Sequence, residues 1–331
     1  MDVVTGATGL IGNVLVRKLL EQGRDVGVFL RKTSETKCFD SLSGRIEKFY
    51  GDLLDPESLS ESFKSAENVY HVASEISILS GHNPNLINVN LTGTKNVIKA
   101  CRINKVKKLV YTSSIHIFKE LQNNSCDLLD EGCKIDPFNP LGEYNRTKAA
   151  ATLEVLNAAS NGLNTVVVCP TAVIGPYDYR HSHLGSLIIN YCRGRQKFII
   201  DGAYDFVDVR DVAEGHILAA KNGGNGKLYI LSGNRVTIPC LMKKIGELSG
   251  LNKPVYRIPF WVIFPVSAAA PVYYKLIKRK PVFTTYSIRT VRSNSYFSCK
   301  KASSELGYIP RPIEATLKDT LEWFTKQGYL K

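Results

Sequence analysis

Cysteine pairs of the C-x-x-C type are missing from this sequence, although it holds eight cysteines, at 38, 101, 126, 133, 169, 192, 240 and 299. None stands beside a histidine at metal-ligand spacing, which excludes the common zinc patterns and the thioredoxin-type redox motif. His181 and His183 share a loop-like stretch without further ligands, so no metal is expected. Several cysteines lie in apolar runs, as Cys169 does in VVVCPT. Buried free thiols and a reducing, cytoplasmic location are the expectation. There is no internal repeat and no low-complexity tract, so solenoids and linker-rich architectures are excluded. A secretory leader is not expected either, because Met1 and Asp2 run straight into a glycine motif. Carboxylates are in short supply: 30 Asp and Glu face 43 Lys and Arg, a formal net charge of +13. Such an excess favours an anionic partner, whether nucleic acid, a membrane surface or a phosphorylated cofactor. The basic residues are scattered, and the densest groups, Lys105 to Lys108 and Lys275 to Lys280, are short. Nucleic acid is therefore not expected.

What is present suits a large α/β unit with a smaller one appended: 331 residues, 44% hydrophobic and 22% charged. Strand-like runs occur at DVVT, DVGVFL (25–30), RIEKFYG (45–51), NVYHVAS (68–74), KKLVYTSS (107–114) and NTVVVCP (164–170). Helical spacing occupies 10–22, 55–66, 85–104 and 143–160. This alternation predicts βαβ units and a doubly wound, Rossmann-type parallel sheet. The pattern then loosens. Residues 171–204 read as loops and one helix, and 206–222 as a short strand running into a helix. Beyond GKLYILSG the chain is mixed and holds most of its prolines. The predicted division is a dinucleotide-binding domain of 1–172 plus about 206–231, and a smaller substrate-binding domain of 173–205 and 232–331.

The stretch TGATGLIG (5–12) follows a strand and opens a helix, the context that gives a glycine pattern meaning. Gly6 permits the tight turn, Gly9 lets the backbone approach a pyrophosphate, and Gly12 lets the helix pack on the sheet. Thr8, Leu10 and Ile11 complete the expected cradle at the helix N-terminus. At the end of the second strand a carboxylate would bond the adenosine ribose and repel a 2′-phosphate. Arg31 and Lys32 stand there instead, and the nearest carboxylate is Glu35. A guanidinium fork suits a phosphate, so NADP(H) is favoured over NAD(H).

With its T-G-x-x-G-x-x-G spacing, and GDLLD, HVAS, NVNLTGTKN, EYNRTK and CPTAVIGP downstream of it, the chain resembles the extended short-chain dehydrogenases/reductases of the NAD-dependent epimerase/dehydratase superfamily. The likeness is strongest to dihydroflavonol 4-reductases and 3β-hydroxysteroid dehydrogenases. The first strand is clipped by one or two residues against the usual pattern, which implies a trimmed start or a short strand. The resemblance implies adenine contacts from Asp52 and Leu53 in GDLLD, and a passage under the cofactor by Val72, Ala73 and Ser74 in HVAS. It also implies that Pro170, Thr171 and Val173 in CPTAVIGP run along the nicotinamide. Asn90 in NVNLTGTKN reads as structural or water-holding, and Arg210 and Asp211 in FVDVRDVA as fixing the domain junction.

EYNRTK places Tyr144 and Lys148 four residues apart, on one helix face. Hydride transfer to a carbonyl builds an alkoxide, and a nearby acid must protonate it. A free phenol titrates near ~10, and a neighbouring ammonium favours its phenolate. A hydroxyl ending the fifth strand should polarise the carbonyl oxygen. YTSSIHIF offers Thr112, Ser113 and Ser114. The family pattern implies Ser114 as the substrate-facing one, with Ser113 as fallback and Thr112 beside the cofactor. His116 reads as a core or rim residue. The family also implies that Lys148 bonds the nicotinamide ribose and that the pro-S hydride is transferred.

Three functions compete: an NADP(H)-dependent reductase or dehydrogenase, a nucleotide-sugar epimerase or dehydratase, and a silent cofactor-binding regulator. Ile115-His116 stand where dehydratases of this fold place Asp-Glu, and Arg31 argues against an epimerase holding NAD. Intact Ser114, Tyr144 and Lys148 argue against silence. IPFWVIFPVSAAAPVYY (258–274) is charge-free, contains Pro259, Pro265 and Pro271, and is followed by KLIKRK. It falls short of the roughly 20 residues that span a bilayer. It reads as a lid over an apolar pocket, or else as a peripheral membrane contact through 258–280. Either reading implies an apolar substrate such as a sterol, flavonoid or terpenoid. A homodimer is compatible with all of this.

Overall fold

A computed structural model describes residues 1–77, 83–119, 128–251, 254–264, 285–291 and 293–330. The chain first lays down β1 (Asp2–Thr5), β2 (Val26–Leu30), β3 (Ile46–Tyr50), β4 (Asn68–His71), β5 (Lys108–Thr112) and β6 (Thr165–Pro170). Then come β7 (Ala172–Ile174), β8 (Phe198–Ile200), β9 (Ala203–Asp208), β10 (Lys227–Leu231), β11 (Asn234–Thr237) and β12 (Tyr256–Ile258). Seven of these form one sheet in the order β10-β6-β5-β4-β1-β2-β3. Every pairing in it is parallel. The order reverses between β1 and β4, the switch point at which doubly wound sheets bind ligands. The fold expected from the alternation is the fold found.

Side-chain alternation along the strands builds two cores from one sheet. Val4, Val110, Val166, Val168 and Tyr229 face a cluster with α1 (Leu10–Glu21) and α7 (Val209–Asn222). Val3, Leu109, Tyr111, Val167 and Ile230 face the opposite cluster. That one packs on α2 (Pro56–Ser62), α4 (Gly93–Ile103) and α5 (Glu143–Ser160). A third core joins α6 (His183–Cys192), α8 (Ile238–Ser249), Phe206 and the helix Ile313–Lys326. It is tied to the main sheet through α7. Asp208 caps that helix at the Arg210 amide (2.7 Å), and Arg210 also reaches Asp319 at 2.6 Å. Asp211 takes the Arg311 amide and guanidinium, each at 2.8 Å.

Two expectations change. The helix expected over 85–104 is interrupted: α3 (Pro84–Leu86) passes into a π-helical turn, Ile87–Thr92, before α4. The Thr94 hydroxyl takes the Asn90 carbonyl at 2.6 Å, and the buried Asn90 side chain leaves the helix to bond the loop after β4. The stretch 171–204 is more ordered than its sequence reads. It holds β7, which pairs with β9 in a small three-stranded sheet, and β8, which pairs with β12. Three-residue strands are too short to show a period. The described cysteines form no disulfide with one another; Cys240 is exposed, and Cys133 and Cys299 are half-buried rather than buried. Cys126 lies outside the described residues. So does the apolar segment from 265 onward. Among the described residues no helix is long and apolar enough to cross a membrane.

Gly12 allows α1 to sit against the loop before it. A Cβ there would lie 2.3 Å from the Gly6 carbonyl oxygen and 2.8 Å from the Ala7 Cα. Both are backbone atoms that cannot rotate away. Gly12→Ala should therefore lower unfolding free energy by about 1–3 kcal/mol in urea titrations. A variant within about 0.5 kcal/mol of wild type would show that the helix can slide.

Candidate active site

The carboxyl ends of β1, β4 and β5 meet at the switch point. β1 ends at Thr5, and Gly6 turns the chain with φ +68°. A side chain at Gly6 would strike the Ala73 amide nitrogen at 2.5 Å, so the loop and the strand end touch backbone to backbone. Gly9 begins α1 without a side-chain cap, and no carboxylate stands in the first turn. The leading amides of α1 are thus left to an anion, assisted by the helix dipole. This cradle fits the pyrophosphate of a dinucleotide. Arg31 and Lys32 lie exposed just beyond β2, with the Arg31 amide on the Ser34 hydroxyl at 3.1 Å. Asp52 is exposed and accepts the Leu54 amide at 2.9 Å. The Leu53 carbonyl accepts Asn96 Nδ2 at 2.9 Å, which holds this turn to α4.

Val72, Ala73 and Ser74 follow the end of β4 as half-buried loop, not strand. A chain of hydrogen bonds fixes them. Thr94 Oγ1 donates to the Asn90 carbonyl, so it can only accept from His71 Nε2, at 3.1 Å. His71 Nδ1 then accepts from Thr5 Oγ1 at 2.7 Å, and Thr5 Oγ1 accepts the Ala73 amide at 3.4 Å. Burial pushes His71 down to about 3, which keeps it neutral and this proton order intact. Asn90 Oδ1 accepts from the Ser74 hydroxyl (3.0 Å) and the Glu75 amide (2.8 Å). Its Nδ2 donates to Thr147 on α5 at 3.2 Å. Asn90 therefore ties the loop after β4 to α5.

Tyr144 and Lys148 occupy successive turns of α5 beneath the end of β5. Lys148 is 2% exposed. Its Nζ donates to the Thr112 carbonyl at 2.6 Å and lies 4.4 Å from the Tyr111 ring centroid. Burial brings it down to about 7. Tyr144 is half-buried, between the hydroxyls of Ser114 and Ser74. Both favour its phenolate, but burial outweighs them and the phenol is pushed up to about 12. The expected lowering by Lys148 does not govern here, because the ammonium is turned to Thr112 and Tyr111.

The three hydroxyls after β5 separate cleanly. Ser114 caps the turn Ile115–Ile117 and stands beside Tyr144. Ser113 is turned inward, donating to Thr152 Oγ1 at 2.6 Å, because that hydroxyl itself donates to the Lys148 carbonyl. Thr112, expected beside the cofactor, has its hydroxyl turned to His216. His216 Nδ1 donates to the Val212 carbonyl, so its Nε2 accepts the Thr112 hydroxyl at 2.7 Å. Only the Thr112 main chain faces Lys148. Thr171 is likewise engaged, donating to the buried Asp205 at 2.7 Å. Pro170 ends β6 opposite Leu231, and Val173 lies in β7 opposite Val207.

The His116 ring borders Tyr144, and the Tyr286 ring packs on His116 in turn. The His116 centroid lies 6.5 Å from Tyr144 and 6.4 Å from Tyr286. Burial pushes His116 down to about 4, and its Nδ1 has no hydrogen-bond partner among the described residues. Its place two residues after Ser114 was the available signal. Tyr286, whose hydroxyl donates to Asn145 at 2.9 Å, carried none, since it lies far along the sequence, in the short helix Thr285–Val291.

A glycine cradle thus lies at the switch point, and across β4 from it a serine after β5 is gathered with a tyrosine and a lysine of α5. The family model described as NAD dependent epimerase/dehydratase matches residues 3–232. The chain belongs to this family. Within it the chain is an NAD(P)-dependent oxidoreductase of the extended short-chain type. It is 33% identical over 330 residues to sterol demethylase protein B of Methylococcus capsulatus, with 99% of each chain covered. It is 32% identical over 329 residues to the mouse sterol-4-alpha-carboxylate 3-dehydrogenase, decarboxylating, covering 93% of this chain and 86% of that one. The crystal structure of gox2253 superposes with a TM-score of 0.87 at 28% identity, over 100% of this oxidoreductase and 99% of that chain.

The buried lysine gives a pH test. Lys148 loses its proton near about 7 when folded and near ~10.4 when unfolded. Between these values the unfolded chain binds more protons, so stability rises with pH, by up to about 1.4 kcal/mol per unit. The melting temperature of Lys148→Met, relative to wild type, should therefore be higher at pH 6 than at pH 9. An equal difference at both would show that burial does not burden the ammonium.

Proposed function

We propose that this chain is an NADP(H)-dependent oxidoreductase that interconverts a ketone and a secondary alcohol on an apolar, sterol-, flavonoid- or terpenoid-like molecule. The observation that carries this reading is the placement of Ser114 just after β5 and of Tyr144 and Lys148 on α5, with β4 between them and the strand of the glycine cradle. In this reading residues 1–172 and 206–231 hold the dinucleotide, and 173–205 and 232–331 the substrate. Bound in the cradle, the nicotinamide would give or take the hydride. Ser114 Oγ holds the reacting oxygen. Tyr144 Oη gives that oxygen a proton as the carbonyl is reduced, and takes it back when the alcohol is oxidised. A phenol at about 12 holds its proton too firmly for the reverse step. Lys148 supplies the charge that eases it, by swinging from the Thr112 carbonyl toward the phenol and the nicotinamide ribose.

The absence of a carboxylate at the end of β2, with Arg31 and Lys32 in its place, supports NADP(H). The sterol named in both relatives supports an apolar substrate. Peripheral membrane contact near 258–264 is part of this reading, supported by Trp261, which is 77% exposed.

Two experiments check it. Tyr144→Phe should lose about 10²–10⁴-fold in turnover while binding NADPH as wild type does. Near-normal turnover, assayed over sterol, flavonoid and simple secondary alcohols alongside nucleotide sugars, would remove Tyr144 from the chemistry. In flotation assays the protein should rise with anionic liposomes at low salt. Failure to float at any salt concentration would leave 258–264 as part of a pocket lid.

A further inference from the structure

Arg180 enters the dinucleotide cradle from outside it. It belongs to the loop between β7 and α6, yet its guanidinium donates to Thr8 Oγ1 at 2.6 Å, across 172 residues of sequence. Thr8 lies between Gly6 and Gly9, in the middle of the glycine turn. Only one of the five guanidinium donors is needed for that bond. Arg180 is exposed and forms no ion pair with any described carboxylate.

The loop that carries Arg180 is held firmly. Tyr177 and His181 adopt φ of +70° and +49°, left-handed values uncommon in non-glycine residues. Such strain persists only where surrounding contacts impose it. Here the Tyr177 carbonyl accepts Asn13 Nδ2 from α1 at 3.2 Å, and Arg17 stacks 4.6 Å from the Tyr177 ring centroid. Tyr179 packs edge-on against Trp323, with centroids 5.0 Å apart. The buried carboxylate of Asp178 accepts the Ser182 amide and hydroxyl. Between these anchors the Arg180 side chain is directed back onto the glycine turn.

The uncapped amides at the start of α1 would hold the pyrophosphate of a bound dinucleotide. Arg180, held on Thr8, is also close enough to the turn Lys37–Leu42, which follows Arg31 and Lys32, for its charge to act on the Cys38 thiol. Arg17 fastens that same turn through the Cys38 carbonyl at 2.6 Å. We infer that Arg180 is a second arm of the adenosine 2′-phosphate site, closing over Thr8 opposite Arg31. This rests on the NADP(H) reading above. It makes cofactor choice a property of the loop before α6 as well as of the end of β2.

The test is equilibrium binding by calorimetry, with 2′,5′-ADP, 5′-AMP, NADPH and NADH as probes and wild type, Arg31→Ala, Arg180→Ala and Arg180→Lys as proteins. Arg180→Ala should weaken 2′,5′-ADP and NADPH by about 10- to 100-fold, the range of a charge-assisted hydrogen bond. It should leave 5′-AMP and NADH within about twofold. Arg180→Lys should recover part of the loss, since it keeps the charge and gives up the fork. If the alanine variant does not fold, Thr8→Val removes the anchoring hydroxyl and should show a smaller loss with the same selectivity. Equal loss on both probes of a pair, or loss on neither, overturns the inference. The two readings fail differently. Wild type that binds 5′-AMP as tightly as 2′,5′-ADP removes the NADP(H) reading and this inference with it. Wild type that prefers 2′,5′-ADP through Arg31 alone removes only the role of Arg180.

Discussion

The hydrogen-bond chain from the Ala73 amide through Thr5, His71 and Thr94 to the Asn90 carbonyl sets the geometry on which the site depends. It has one proton order, fixed at its far end by a carbonyl that can only accept. A neutral His71 is essential to that order, and its burial in the sheet keeps it neutral. The chain joins β1, β4 and α4, so the glycine turn and the strand end beside it cannot move independently. Through its own side chain Asn90 extends the connection to Ser74 and to Thr147, and so to the helix of Tyr144 and Lys148. The two halves of the site are thus positioned by one set of bonds.

The charges near the reacting groups are arranged differently from the simplest picture of a lysine lowering a tyrosine. Lys148 faces a carbonyl and an aromatic ring and meets no carboxylate among the described residues, and burial draws it toward neutrality. Tyr144 is raised by the same enclosure. Burial thus brings the Lys148 ammonium toward exchange near neutral pH, while it holds Tyr144 firmly in its protonated, proton-giving form.

The sheet and its cradle were legible because they rest on period and punctuation. Short apolar runs marked six strands, and three glycines in register marked the turn. The pair Tyr144 and Lys148 was legible for the same reason, since four residues on a helix is a local spacing. What escaped the sequence was non-local. Nothing near Thr112 shows that its hydroxyl belongs to His216, more than a hundred residues on. Nothing near Tyr286 or Arg180 links them to Tyr144 or Thr8. The short strands β7 and β8 depend on partners that the chain supplies only later, at β9 and β12.

The π-helical turn at Ile87–Thr92 has a bearing on how this fold tolerates insertions and deletions. Each residue of a helix turns it by about 100°. Removing one residue from the wide turn would give the segment from Pro84 to Ile103 a more regular helix, with every amide bonded at the ordinary spacing. The same deletion would rotate Asn90 away from Ser74 and Thr147, and the loop after β4 would lose its anchor. A chain shortened in this way would fold its helix better and hold its site worse. Local regularity and the site's geometry pull in opposite directions at this turn, and the wide turn is the form that satisfies the site.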